Sequence, residues 1–170
     1  MSFIIRTLFP IRCAALRHVG PHSSVYQTWY QQMIPAATAA GLWPAKMQKL
    51  SIFEMPEPGV PAERSISYAA LQIGPKVTPP PPFEVIEIPG GEYIGYNHDG
   101  PPESLAEVWP WFWQNAGQVA GRPVILGQFF ETYFGWPIEG EPVGTELNLL
   151  LALSPPVIKK QGLFGKLFGQ

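Results

Sequence analysis

The run Thr145-Glu146-Leu147-Asn148-Leu149-Leu150-Leu151 holds one ionisable side chain in an otherwise almost wholly apolar stretch. A carboxylate placed there is costly, because burial raises its pKa and an unpaired charge forfeits several kcal/mol. A bound cation would offset that cost: at about 4 Å and an effective dielectric of about 20 the attraction is roughly 4 kcal/mol, enough to select cations over neutral molecules of the same shape. The alternatives are a glutamate on an edge strand facing water, or one paired with a lysine. Setting Ser67-Tyr68-Ala69-Ala70-Leu71 against Thr145-Glu146-Leu147-Asn148-Leu149 puts Tyr68 opposite Glu146. There Tyr68 offers a ring face and a hydroxyl donor, or packs as an ordinary strand aromatic. If both reach one substrate atom, Glu146 becomes a general acid or base on water and Tyr68 its hydrogen-bond donor, which is the chemistry of a hydrolase.

Aromatic residues are the second candidate set. Trp29 and Trp109 lie 80 positions apart and fall at equivalent places in two similar segments, so they are expected to approach one groove from opposite sides. Phe53, Tyr133, Trp113 and Trp136 are the next candidates for its walls, with core packing as the alternative for each ring. Stacking a cation on such faces contributes about 0.5 to 2 kcal/mol per contact. Glu131, in Phe130-Glu131-Thr132-Tyr133, is a secondary carboxylate, expected to hold strand register or a backbone amide more than a ligand. His18 and His98 are expected to cap turns. With His22 the only other histidine and one cysteine, Cys13, the spacing suggests no metal site and no disulfide. Gly90-Gly91 is not a phosphate loop, since no helix opening with Lys-Ser or Lys-Thr follows, and no cofactor is expected.

Composition narrows the classes. Eleven basic and thirteen acidic residues give a net charge of -2 without a dense basic run, which argues against nucleic acid as a partner. The apolar start, Met1 to Leu16, is interrupted by Arg6, Pro10 and Arg12, unlike an export signal, and no window of eighteen uninterrupted apolar residues exists to span a bilayer. A cytoplasmic location is the expectation. The 21 prolines favour strands and turns over long helices.

The elements that must position these side chains repeat. His18-Val19-Gly20-Pro21 returns as His98-Asp99-Gly100-Pro101 at the same 80-residue offset as the tryptophans. A tandem duplication of β-α-β-β units about a pseudo-twofold axis is expected, with a groove where the halves meet. In the first half, Ile11 to Val19 reads as strand, a helix capped by Ser23 or Ser24 follows and is kinked at Pro35, and Ser51 to Glu54 and Ser65 to Ile73 are strands. In the second, Phe83 to Ile88 leads in and Glu92 to Asn97 is a strand. A helix follows Pro101, and Ile125 to Tyr133 and Thr145 to Leu153 pair. Pro110 should bend that helix or delay its start. The fold class is therefore α+β, an antiparallel sheet with two main helices and a central groove. The expected organisation is one domain over 1–153, with halves at about 3–73 and 83–153, a stiff polyproline linker over 74–82 and a tail over 154–170.

The runs Arg17-His18-Val19-Gly20-Pro21, Pro61-Ala62-Glu63-Arg64, Ile88-Pro89-Gly90-Gly91-Glu92-Tyr93 and Phe130-Glu131-Thr132-Tyr133 resemble GyrI-like small-molecule-binding domains. These are the effector-binding domains of bacterial AraC-type and MerR-type multidrug regulators, which also occur alone. The resemblance covers about residues 3 to 153. It implies a central groove for cationic, aromatic molecules, with a last-strand glutamate, here Glu146, pointing into it. At the Tyr68 position many relatives carry an aspartate, so this chain departs from them. The chain begins almost directly with the ligand domain, so a separate DNA-binding domain is not expected. The resemblance leaves three functions: a binder of cationic or amphipathic aromatic compounds, a hydrolase opening strained cyclopropane-type electrophiles through Glu146 and Tyr68, and a gyrase-inhibitor-like protein that docks on a larger enzyme.

Overall fold

The structure, a computed structural model, describes residues 2–135 and 140–153. Eight strands form one antiparallel sheet: β1 (Phe3–Leu8), β2 (Ile11–Val19), β3 (Lys49–Phe53), β4 (Ile66–Gln72), β5 (Glu84–Ile88), β6 (Gly91–Gly100), β7 (Phe129–Tyr133) and β8 (Val143–Leu150). Their order is β1-β6-β8-β7-β3-β4-β2-β5. Exchanging each strand for its counterpart about 80 residues away (β1 with β5, β2 with β6, β3 with β7, β4 with β8) reverses this order and leaves it unchanged. The midline falls between β7 and β3. β1 pairs with β6 and β5 pairs with β2, so each lead-in strand completes the sheet of the opposite half.

Topology forces the sheet to curl. β1 is an edge strand and β2 is next to the far edge, yet only Phe9 and Pro10 join them. Such a link reaches at most about 11 Å, whereas six strand spacings in a flat sheet would need roughly 29 Å. Pro89-Gly90, between β5 and β6, makes the reciprocal jump. The two connections press together at Gly90, where an added Cβ would meet the Pro10 Cδ at 2.9 Å. The result is a half-barrel whose inner face closes on itself: Ile11, Leu50, Tyr68, Ile88, Tyr93 and Phe130 form one apolar cluster drawn from strands at both ends of the order.

The outer face carries the helices. The first helical segment is α1 (Val25–Thr28), a wider π turn (Trp29–Met33) and α2 (Ile34–Ala39). Pro35 is the second residue of α2, which continues the π turn without a break, so its missing N–H leaves a carbonyl of the preceding turn unserved and the irregularity falls just before it. Its buried stripe, Trp29, Met33 and Ala37, packs on Ala14, Leu16, Ala69 and Leu71. α3 (Leu105–Ala120) sets Leu105, Phe112 and Ala116 on Ile94, Leu147 and Leu149. The helix begins before Pro110 and continues past it, and Pro110 withholds the N–H that would serve the Ala106 carbonyl. Gly121, at φ 67°, ends it in the left-handed conformation.

Several expected boundaries shift. β1 falls in the stretch that the sequence marks only as apolar. Neither Ser23 nor Ser24 caps α1 through its side chain; the Ser24 hydroxyl donates to the Pro21 carbonyl at 2.7 Å instead. The 74–82 linker is not a straight polyproline rod. It turns at Gly74–Val77 and again at Pro80–Phe83, because Phe83 is buried and β5 must come back onto β2. The expected strand from Ile125 shortens to Phe129–Tyr133, with Val124 making one isolated bridge to Leu151. The 154–170 tail lies outside the described residues.

Candidate functional site

Strand parity decides what faces the helices. On β7 the odd residues Phe129, Glu131 and Tyr133 point outward; opposite them on β3 stand Phe53, Ser51 and Lys49 in direct register. This central pair forms a floor that the two helical segments flank, leaving a cavity of about 260 Å³ between them. Glu131, Tyr133, Phe129 and Phe53 make its base. α3 supplies Leu105, Ala106, Trp109, Pro110 and Trp113, and the first half supplies His22, Val25 and Tyr26. The rings form a continuous aromatic wall: Trp109 packs edge-on to Phe129 at 4.9 Å, Trp113 edge-on to Phe129 at 5.3 Å, and Phe53 stacks on Phe129 at 5.2 Å.

Among the described residues Glu131 is the one carboxylate lining this cavity, and it is 3% exposed. Trp109 Nε1–H donates to Oε1 at 2.6 Å and the Tyr133 hydroxyl donates to Oε2 at 2.5 Å. Desolvation pushes its pKa up to about 7, and the two donors hold it from rising further. The Tyr133 oxygen also lies 2.6 Å from Ser51 Oγ, which receives the Trp29 indole N–H at 3.1 Å. A phenol has one proton, so with that proton on Glu131 the Ser51 hydroxyl donates to Tyr133. Trp29, Ser51 and Tyr133 then form a polarised chain of donors ending on the carboxylate. Burial and the Glu131 charge push the Tyr133 pKa well up, so it stays a donor.

The network recurs under the 80-residue shift, with one change of chemistry. Trp29 donates to Ser51, and Trp109 donates to Glu131. The first site is packed solid, with Trp29 fully buried. The second is open and acidic. Replacing Trp109 by Phe, which keeps the ring and removes one donor, is expected to raise the Glu131 midpoint by about one pH unit; a carboxyl-resolved NMR titration measures it.

The other expected site residues lie elsewhere. Glu146 is buried but is absent from the cavity lining, because even positions of β8 face the inside of the half-barrel; there it forms an ion pair with Arg6. The alternative of a cationic partner is therefore the observed one, with arginine in place of lysine. Tyr68 also faces inward, in the inner cluster, and donates to Glu54 Oε1 at 2.9 Å. Trp29 lies beside the floor on the same outer face, edge-on to Tyr133 at 6.2 Å, and is not in the cavity lining. Trp136 lies outside the described residues. Phe53, Trp109, Trp113, Tyr133 and Glu131 are the ones brought together. His18 and His98 turn onto the hydroxyls of Ser24 and Ser104, at 2.9 and 2.7 Å. Replacing Glu146 by Gln is expected to cost about 1 to 3 kcal/mol of stability by uncompensating Arg6, which is partly solvated, and to leave cavity ligands unaffected; denaturant melts and ligand titrations separate the two effects.

His22, Tyr26, Leu105 and Pro110 were not anticipated. The available signal was their place just after the repeated His-x-Gly-Pro turns, where each helix starts over the sheet midline.

An outward carboxylate beneath an aromatic cleft, between two helices on a curled antiparallel sheet, defines a small-molecule-binding α+β module. The family model described as the GyrI-like small molecule binding domain matches residues 1–143, and the chain belongs to that family. Its fold is shared with SAV2435 bound to tetraphenylphosphonium (16% identity, 89% of this chain and 94% of that one, TM-score 0.62). It is shared also with the EcmrR C-terminal domain (12% identity, 90% and 98%, TM-score 0.68) and with a hydrolase from Listeria innocua (13% identity, 89% and 92%, TM-score 0.61). No curated protein matches the sequence. Among the described residues no helix is long and apolar enough to cross a membrane.

Proposed function

We propose that this protein captures cationic aromatic molecules in the cavity between its helices, with Glu131 in the role expected of Glu146. One observation carries this reading. Glu131 is buried in an apolar, ring-lined cavity, and among the described residues no lysine or arginine pairs with it or lines that cavity. A charge so placed costs several kcal/mol, which a ligand cation at about 4 Å would offset by roughly 4 kcal/mol. The rings of Trp109, Trp113, Phe53 and Phe129 suit the apolar faces of such a ligand. The neighbour SAV2435 holds tetraphenylphosphonium, a cation clothed in phenyl rings. Titrating tetraphenylphosphonium while following tryptophan fluorescence tests the reading. Saturable quenching at micromolar concentrations is expected; a linear response up to millimolar concentrations would overturn it.

A second reading is favoured by the protonation of the same carboxyl. A glutamate midpoint of about 7 suits a general acid or base, and the Tyr133 hydroxyl stands 2.5 Å from it. In this reading Glu131 and Tyr133, in place of Glu146 and Tyr68, would pass a proton between water and a strained electrophile. Incubation with a cyclopropane-bearing electrophile decides it. A substrate gaining the mass of one water supports hydrolysis, and an unchanged mass at high protein concentration removes it.

A further inference from the structure

One chain of contacts runs twice through this fold. At the end of β6, His98 Nε2 meets Ser104 Oγ at 2.7 Å, and that hydroxyl donates to the Pro101 carbonyl at 2.6 Å. The single hydroxyl proton of Ser104 is thus committed to Pro101, so the histidine donates through Nε2–H. Eighty residues earlier His18 Nε2, Ser24 Oγ and the Pro21 carbonyl repeat the arrangement at 2.9 and 2.7 Å. In each copy the serine also closes a 3-10 turn through its backbone N–H, and a tryptophan follows five residues later. Trp29 then donates to Ser51 and Trp109 to Glu131, and those two acceptors are again 80 positions apart. The acceptor differs between the halves, from hydroxyl to carboxylate, while every link upstream of it is the same.

The copies differ in what else holds the indole. Trp29 is fully buried in the cluster of Ala14, Met33 and Leu71, so packing alone fixes it. Trp109 is half-buried on the wall of an open cavity, and Pro110 beside it removes a helical hydrogen bond. Its placement therefore depends on the turn before it. We infer that His98 and Ser104 are positioning residues, which anchor the leading turn of α3 to β6 and so set the Trp109 N–H on the Glu131 carboxylate. Gly100 leaves room for this latch: an added Cβ would stand 2.7 Å from His98 Nε2 and 2.9 Å from Ser104 Oγ. The service to a bound cation rests on the capture reading above, whereas the placement is measurable without ligand.

The test follows the Glu131 midpoint, about 7 in the wild type, in the free protein by carboxyl-resolved NMR. The titratable groups facing this carboxyl are Tyr133 on its own strand and, across the cavity, His22 and Tyr26, and no variant used touches them. Ser104→Ala, and independently Gly100→Ala, which displaces the His98 ring, should each raise the midpoint by up to about one pH unit, the shift expected of Trp109→Phe. Ser104→Thr keeps the hydroxyl and should return the wild-type value. In the Trp109→Phe protein Ser104→Ala should move the midpoint no further, because its effect passes through the indole. A midpoint unchanged in both Ser104→Ala and Gly100→Ala would overturn the inference, as would a further shift in the double variant. Tetraphenylphosphonium titrations then separate placement from capture. Ser104→Ala should bind it about fivefold more weakly than wild type at about pH 7, with a smaller loss at about pH 9, where both carboxyls are ionised. Absence of binding to wild-type protein removes the capture reading and leaves the placement to stand or fall on the midpoint shifts.

Discussion

Glu131→Gln should weaken binding of a hydrophobic cation by about a thousandfold. The arithmetic is the roughly 4 kcal/mol of an ion pair at about 4 Å and an effective dielectric of about 20, with each 1.36 kcal/mol a factor of ten. The substitution is structurally mild. Trp109 Nε1 is a donor only, so the amide oxygen turns to it and the amide NH₂ meets the Tyr133 oxygen, which accepts once its own proton rotates to Ser51. The fold loses no packing volume, and calorimetric titration of both proteins measures the loss directly. A drop of less than fivefold would mean that the charge does not select the ligand.

The second large effect is in pH. Glu131 moves from an ordinary value of 4.5 to about 7 in the folded protein, so between those limits the folded state binds a proton that the unfolded state has released. Stability without ligand should therefore fall as pH rises from about 5 to 7, by up to about 3 kcal/mol through this group alone. His18 and His22, whose pKa values are lowered mainly by desolvation, act oppositely: the unfolded state takes up protons below about 6.5 and stability falls as pH drops. The difference between wild type and Glu131→Gln isolates the carboxylate. Urea melts across this range should show a wild-type slope that the variant lacks. Cation affinity should move the other way, losing about tenfold per unit below pH 7, because the proton competes with the ligand for the same oxygens. Together these curves distinguish a buried carboxyl held neutral at low pH from one that is ionised throughout.

Much of the scaffold was legible because periodicity and repetition report on backbone. The 80-residue offset links β3 to β7 and Trp29 to Trp109, and extended runs bounded by Gly-Pro and proline-rich turns locate β2, β4 and β8 to within a few residues. β1 escaped because its inner and outer positions are both largely apolar, with Ile4 and Ile5 exposed, so no alternation announces a strand. The site was half legible. The aromatic candidates Phe53, Trp109, Trp113 and Tyr133 converge, since large rings on consistent strand and helix faces gather wherever those faces meet. The carboxylates went the other way for a reason invisible in one dimension. Glu146 and Glu131 both sit in strands of apolar character, and only the pairing register with the helices overhead tells outer from inner face. A one-residue parity difference exchanges a place on the cavity floor for an ion pair with Arg6. Sequence could not supply that parity, because β1, which brings Arg6 beneath β8, was not itself recognised.

The central claim is that the Glu131 charge meets a ligand charge inside the cavity. A four-cornered titration tests it most directly: wild type and Glu131→Gln, each with tetraphenylphosphonium and with neutral triphenylphosphine oxide, at about pH 8, where wild-type Glu131 is mostly ionised. Wild type should prefer the cation by at least about a hundredfold, and the variant should show little preference or reverse it. The same preference in both proteins would contradict the account.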